Sequence, residues 1–482
     1  MQRVCLALPT MRPCPDTIAE LAEEAAYAVA NFGVEVHLLI LDTTDAGGFA
    51  ENAGAVAALE PAPGVVVHHL GEARQREFLR RVSERSGAAD PELLLDLMLP
   101  RAVAYGSCVN RLFLGAAALG CTSAHLRNDD ADFQVVDGRK IFPIHHELLS
   151  IGRPAGEAVA GVSRSELDPA DADKPVMLVS GSFIGELNVD IGEIHELDPA
   201  VYRDVVRLWT PPVWSEEERD AMVDISFKGA GSEPFDTDES VLGVPDIWDV
   251  YMCNIALDHR AYEVLPLLPA TETIGSDYAL LHALVHSRLP GVVHNRHIVN
   301  YYTPERRTGA GFVSYQLRFV KFLLSMLYLY PVYGGMIDLG RGLLDERNGL
   351  KVEPILDLAR GSVHWDRAGN VHCLDVLDRS YRKLGGKYAE LADVMAGRRE
   401  QLLDEARQDA ERWAVLIEAW APMVAAARAE GLRTGTEGLD ADADGTDGTD
   451  AGTDGTDAGT DGTDAGTDGT NGAGTGTDAP VR

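Results

Sequence analysis

The chain has 482 residues, of which 45% are apolar, and a formal charge of −34 at neutral pH. That is apolar material for a sizeable core, either in one large α/β unit with an appendage or in two to three domains. The acid excess excludes nonspecific nucleic-acid binding, which needs clustered Lys and Arg, and it leaves room for a local basic pocket.

Strands and helices alternate from the start. Val4 to Leu8 is an apolar run of strand length, followed by a proline-rich loop from Pro9 to Pro15. Asp16-Thr17 then offers a cap to a helix over Ile18 to Phe32 that Gly33 ends. A second strand, Val34 to Leu41, closes on the loop Asp42 to Gly48, and a third runs from Gly64 to Leu70. Arg74 to Arg85 reads as a charged helix, Leu93 to Leu119 as one or two helices, and Ser123 to Arg127 as a short strand. A hairpin turning at Asp137-Gly138 follows. Strand-like alternation returns over Val176 to Ile194, Trp248 to Leu257 and Gly291 to Tyr302. Glu216 to Phe227, Asp277 to Arg288 and Gln316 to Tyr330 read as helices, and Leu377 to Glu430 as two long ones broken near Gly385-Gly386. The pattern predicts an α/β fold with a mainly parallel sheet, whose ligands sit outside the carboxyl ends of the strands.

From Gly445 the motif Gly-Thr-Asp-Gly-Thr-Asp-Ala repeats and then degenerates, with nothing apolar larger than alanine before Val481. Such a segment cannot bury a core and is expected to be disordered. The divisions expected are 1–305, a sheet domain with the site; 311–432, a helical region that packs on the sheet or builds a homodimer face; and 433–482, the tail. Six cysteines, at 5, 14, 108, 121, 253 and 373, have no zinc-ribbon spacing. Met1-Gln2-Arg3 runs straight into a strand with no signal-peptide pattern, so reduced thiols and a cytoplasmic location are expected. The longest apolar stretch, Phe322 to Tyr333, is short for a bilayer, and no transmembrane segment is expected.

Asp129-Asp130-Ala131-Asp132 is the strongest chemical motif. Carboxylates one residue apart on a turn after a buried strand suit a hard cation, Mn²⁺ or Mg²⁺, which takes its remaining ligands from water and phosphate oxygens. The alternative is an acidic surface turn.

With that motif in place, the chain resembles the GT-A glycosyltransferases, most nearly the large inverting family, over roughly residues 1 to 300. Leu8-Pro9-Thr10-Met11-Arg12-Pro13 is similar to the family's first strand and loop, and Leu39-Ile40-Leu41-Asp42 to its second strand. Asn110-Arg111 resembles the helix facing the nucleotide, and Asp130-Ala131-Asp132 the Asp-x-Asp metal motif. Cys253 to Asp258, through Glu272 to Asp277-Tyr278, resembles the acceptor-side strand and the helix carrying the catalytic base. Met11 stands where the family commonly has an aromatic residue, and the second strand ends in one Asp instead of two. The Gln-x-x-Arg-Trp signature of processive synthases is missing, which argues against a polymerising enzyme.

The resemblance implies a nucleotide-diphosphate sugar as donor, a small-molecule or peptide acceptor, and Mn²⁺ or Mg²⁺ at Asp130 and Asp132. Pro9, Thr10, Arg12, Asp42, Asn110, Arg111 and Asp130 would line the donor. Asp277 would be the base of an inverting transfer, with Glu272 in reserve; a helix cap is the other reading of Asp277. His297, or His294 on the opposite face of the same strand, could add a metal ligand. Arg296, Arg306 and Arg307 could contact the diphosphate or form a solvated basic loop. Two other functions stay open. A nucleotidyltransferase would want a Gly-rich basic loop after the first strand, where this chain has Pro9 to Pro15. A non-catalytic binding scaffold would keep the fold without the turnover.

Overall fold

The structure, a computed structural model, describes residues 1–186, 191–211, 213–225, 234–301 and 304–432. The repeat tail and residues 226–233, which include the end of the helix expected over Glu216 to Phe227, lie outside the described residues.

Twelve strands are present among the described residues: β1 (Arg3–Thr10), β2 (Glu35–Asp42), β3 (Val65–Leu70), β4 (Ser123–Arg127), β5 (Ala131–Phe133), β6 (Val135–Val136), β7 (Arg139–Lys140), β8 (Arg164–Ser165), β9 (Leu178–Gly185), β10 (Ser240–Gly243), β11 (Asn254–Asp258) and β12 (Gly291–Asn300). Ten form one sheet in the order β3-β2-β1-β4-β11-β9-β12-β10-β8, with β5 paired to β12. β3, β2, β1 and β4 are parallel. β11 enters antiparallel between β4 and β9, and β9 and β12 are again parallel. The mainly parallel α/β sheet expected from the alternation is therefore present, with antiparallel strands inserted in its second half. β6 and β7 form the expected hairpin, and its turn puts Asp137 and Gly138 at φ of 50° and 73°.

Val4 to Leu8 are fully buried, as a central parallel strand covered on both faces requires. Alternation sends Val4, Leu6 and Leu8 into the core under helix Pro15–Phe32, and Cys5 and Ala7 into the larger core on the opposite face. That larger core continues to Ala427 and takes in the C-terminal helices. Helix Arg399–Glu430 is pinned by two indoles, Trp413 Nε1 donating to the Pro266 carbonyl and Trp420 Nε1 to that of Tyr262, each at 3.0 Å.

Several local expectations are corrected. Helix Pro15–Phe32 starts at a proline with Cys14 at its N-cap, and no side chain caps it; Asp16 and Thr17 lie inside its first turn. The loop after β2 is short, because Asp45 caps an unforeseen helix, Ala46–Ala58. The apolar helix is Gly309–Leu339, carried through Pro331. It is long and apolar enough to cross a bilayer, yet 67% of its apolar window is buried inside the protein, which suits a core helix. Residues 368–430 form three helices, Ala368–Leu384, Gly386–Gly397 and Arg399–Glu430.

Candidate active site

β4 ends at Arg127, and what holds that end is a buried charge network. The Arg127 guanidinium donates to both oxygens of Glu24, at 2.8 and 3.1 Å, and to both of Glu147, at 3.0 Å each. His125 Nδ1 lies 2.7 Å from Glu147, and its Nε2 lies 2.8 Å from the Ser123 hydroxyl. All these side chains are essentially inaccessible. Burial works against ionisation of Glu147, but Arg127 and His125 overcome it and hold its carboxyl low. Burial pushes Glu24 up against the pull of Arg127. Buried charges persist only when paired and hydrogen-bonded in this way. The network locks strand β4 to helices Pro15–Phe32 and Ile144–Ser150, two residues before the acidic motif. Glu24 was visible in the sequence as a lone acid among Ile18, Leu21, Ala25 and Ala28, the buried stripe of its helix.

Beyond β4, the end of β1 meets the acids. Thr10 Oγ1 donates to Asp129 Oδ2 at 2.8 Å, and Arg12 Nε lies 3.3 Å from Asp129 Oδ1. Burial, and to a lesser degree Asp130, raises the Asp129 carboxyl, with Arg12 opposing. Asp129 thus ties two strand ends together. Asp130 is the next acid, its side chain 7% exposed. Its Oδ2 faces two guanidiniums, Arg306 at 3.2 Å and Arg12 at 3.7 Å. The Arg306 guanidinium also lies 4.9 Å from the centre of the Tyr315 ring. Asp132 lies in β5, two residues after the turn residue Asp130. The Tyr301 amide donates to the Asp130 carbonyl at 3.2 Å, and its hydroxyl reaches Asp132 Oδ2 at 3.4 Å. Pro9 and Thr10 complete β1, opposite Leu41 and Asp42 of β2.

A second carboxylate, Asp277, acts on the same buried groups as Asp130. Cys253 is pushed up to about 12, first by burial and then by the negative charges of Asp130 and Asp277. Tyr105 is raised by burial and by the same two acids. The charges of Asp130 and Asp277 thus both bear on the buried Cys253 thiol and Tyr105 hydroxyl. Asp277 occupies the N-cap position of helix Tyr278–His286, but its carboxylate caps nothing. Apart from its own amide, no hydrogen bond or ion pair from another described residue reaches that carboxylate. Burial, opposed only by that amide, raises its pKa to about 6.

Other sequence candidates do structural work. Asp42 is 1% exposed. One of its oxygens takes the amide and hydroxyl of Thr44, and the other takes Asn52 and His69. Burial is outweighed by those bonds, and its pKa falls to about 2. The carboxylate organises its own loop and offers no open lone pair to a ligand. Asn110 is spent on both backbone groups of Leu267. Arg111 is spent on Gln75 and the Met98 carbonyl. Neither faces the acids; on that helix it is Tyr105 and Cys108 that feel them. Glu272, at φ 49°, bonds both backbone groups of Val103. It lines a separate 420 Å³ cavity with Val313, Leu317, Lys321, Arg398 and Leu402. His297 Nδ1 accepts the Ser182 amide at 3.0 Å, and His294 stacks on His146. Arg296 pairs with Asp238, and Arg307 with Glu186. The structure does not gather His297 with the acids: among the described residues, no three His, Cys, Asp or Glu side chains stand together as a metal set. The chain would bring two carboxylates, Asp130 and Asp132. That donor set fits Mg²⁺ or Mn²⁺, which usually draw their other ligands from water and phosphate.

Residues 2–436 match the model of a family described as a family of unknown function, DUF6271. No curated protein matches the sequence. Among solved structures, the chain is similar to glucosyl-3-phosphoglycerate synthase from Mycobacterium tuberculosis in complex with Mn²⁺, UDP and glucosyl-3-phosphoglycerate. That likeness has 14% identity and a TM-score of 0.30, covering 66% of this chain and 80% of the other. It is also similar to the mannosyltransferase PcManGT from Pyrobaculum calidifontis in complex with GDP-Man and Mn²⁺. Here the identity is 11% and the TM-score 0.29, covering 89% of this chain and 86% of that one. Likenesses of this degree bear on neither the ligand nor the chemistry of this chain.

Proposed function

The chain belongs to the DUF6271 family, whose function is unknown, and we propose that it is a GT-A-like glycosyltransferase moving a sugar from a nucleotide-diphosphate donor to a hydroxyl acceptor with inversion. The observation that carries this reading is a partnerless carboxylate, Asp277, whose charge bears on the same buried Cys253 thiol and Tyr105 hydroxyl as that of Asp130, which is held among arginines. A transfer with inversion needs those two environments. One must accept a proton; the other must carry the charge of a leaving diphosphate.

In this reading Asp277 takes the proton of the acceptor hydroxyl. The freed oxygen pair bonds to the anomeric carbon from the face opposite the diphosphate, and the bond to the diphosphate oxygen breaks. Arg12 and Arg306 offer that oxygen positive charge. Asp130 and Asp132 would hold Mn²⁺ or Mg²⁺, which when bound neutralises charge on the leaving group. The acceptor is a small molecule or peptide. All six cysteines are free, in keeping with the cytoplasmic location proposed.

The test is titration calorimetry with UDP- and GDP-linked sugars, in Mn²⁺ and in EDTA, followed by an assay for metal-dependent release of nucleoside diphosphate. Binding is expected to need Mn²⁺, and Asp132→Asn is expected to lose that dependence while staying folded. Equal binding in EDTA would overturn the metal assignment, and tight binding with no turnover on any acceptor would favour a scaffold.

A further inference from the structure

The Asp130 carboxylate is claimed twice. As a metal ligand it would offer an oxygen to a divalent ion at about 2.0–2.1 Å. That same side chain already has Arg306 at 3.2 Å and Arg12 at 3.7 Å, both on Oδ2. Arg306 is fixed from its other side by the Tyr315 ring, 4.9 Å from the guanidinium, and Tyr315 is 7% exposed. The guanidinium is thus held between an acid and an aromatic face, a well-formed cation site. Arg12 is committed elsewhere as well, through Asp129. Of the two arginines, Arg306 makes the closer approach to Asp130.

Two guanidiniums and a divalent ion crowded on one half-enclosed carboxylate repel one another strongly at these distances. We propose, building on the transferase reading, that Arg306 is an internal cation competing with the metal for Asp130, and that a diphosphate ligand removes the competition by taking the guanidinium. A guanidinium binds phosphate oxygens through two parallel N–H bonds, as it does a carboxylate, so the exchange loses no pairing. Metal and nucleotide then bind in a coupled way: the free protein holds the divalent ion weakly, and the diphosphate strengthens it. By linkage the ion strengthens the diphosphate by the same factor.

The experiment measures Mn²⁺ binding to the full chain by electron paramagnetic resonance, with Mn²⁺ alone and with Mn²⁺ plus UDP or GDP, and needs no turnover. Arg306→Ala is expected to bind Mn²⁺ alone roughly fivefold or more tightly than the unmutated chain, and to lose most of the strengthening that the nucleoside diphosphate gives. Arg306→Lys, which keeps the charge, is expected to stay near the unmutated values. Arg307→Ala, which removes a neighbouring arginine paired with Glu186, serves as the control and should change neither. Melting curves establish that each variant is folded. Equal or weaker binding of Mn²⁺ alone in Arg306→Ala would overturn the competition while leaving the metal site intact. Absence of Mn²⁺ binding in every variant, with or without nucleotide, would overturn both the competition and the metal assignment.

Discussion

Asp277, the base proposed above, would carry its function at a cost to the fold. Its pKa is raised to about 6 by burial, against an ordinary value of 3.8. A raised carboxyl favours the protonated form in the folded state. Its contribution to stability is therefore full below about pH 4 and is lost as pH rises through about 6. Near pH 7.5 the ionised group costs at most about 3 kcal/mol, since two units are worth roughly that. Asp277→Asn removes the charge and keeps the shape. Its melting temperature should exceed that of the unmutated chain at pH 7.5, and the gap should close below about pH 4. Turnover should fall about 10²–10⁴-fold, the usual share of a general base, while donor affinity stays within a few-fold. The acid limb of the unmutated pH–rate profile should bend near pH 6. Near-normal turnover in the variant would remove Asp277 from the chemistry. A helix-capping role is already disfavoured, because the carboxylate bonds none of the helix amides.

At the scale of elements, helix Gly309–Leu339 delivers Tyr315 to Arg306 on one face and packs against Arg399–Glu430 through another. Between those two helices Lys321 Nζ meets Asp409 Oδ2 at 2.9 Å, both nearly inaccessible, and donates to the Thr271 carbonyl at 2.6 Å. That pair fixes the loop running from Thr271 to Asp277. Removing either member strips a buried charge of its nearest counter-charge, leaving Lys321 only the more distant Glu405 at 3.6 Å. Lys321→Met or Asp409→Leu should each cost about 3–5 kcal/mol in urea unfolding, and the double variant distinctly less than their sum. Additive losses would show that the pair is not coupled. The strands β1, β2 and β3 were legible because each is a largely apolar run bounded by polar turns. Helix Ala46–Ala58 was not, since it buries only Gly48 and Asn52 and has no apolar stripe to detect. The continuation through Pro331 was hidden too: burial of Val332, Tyr333 and Met336 offsets the lost hydrogen bond. The closeness of Thr10 and Arg12 to the acids at 129 and 130 could be anticipated because adjacent strand ends of a parallel sheet converge. Asn110 and Arg111 misled because nearly every face of their helix is buried. Periodicity then cannot say which face meets the site. The pairing of Arg306 with Asp130 spans 176 residues, beyond any local pattern.

For the whole molecule the question is where the charge of −34 acts. Most of it lies in the body, which keeps 64 acids against 41 bases, although several of its buried acids are matched locally: Glu24 and Glu147 by Arg127, Asp130 by two arginines, Asp409 by Lys321. Beyond Thr434 there are twelve acids and one base, in a composition dominated by Gly, Thr, Asp and Ala, with only Leu439 and Val481 as larger aliphatic groups. The family match ends at residue 436, and the shared core ends at Ala427. A segment of that composition is expected to add little to cooperative unfolding, while its charge adds to solubility and mildly to self-repulsion. Deleting residues 440–482 should leave the melting temperature and the Mn²⁺ and nucleotide affinities nearly unchanged, and lower solubility near the isoelectric point. A fall of several degrees in melting temperature would mean that the tail binds the body. A tighter grip on the nucleotide in the truncated chain would mean that its carboxylates compete with the diphosphate for Arg12 and Arg306. Differential scanning calorimetry and the calorimetric titration of UDP and GDP, run on both chains at two salt concentrations, separate these outcomes, since the competition is electrostatic and fades with salt.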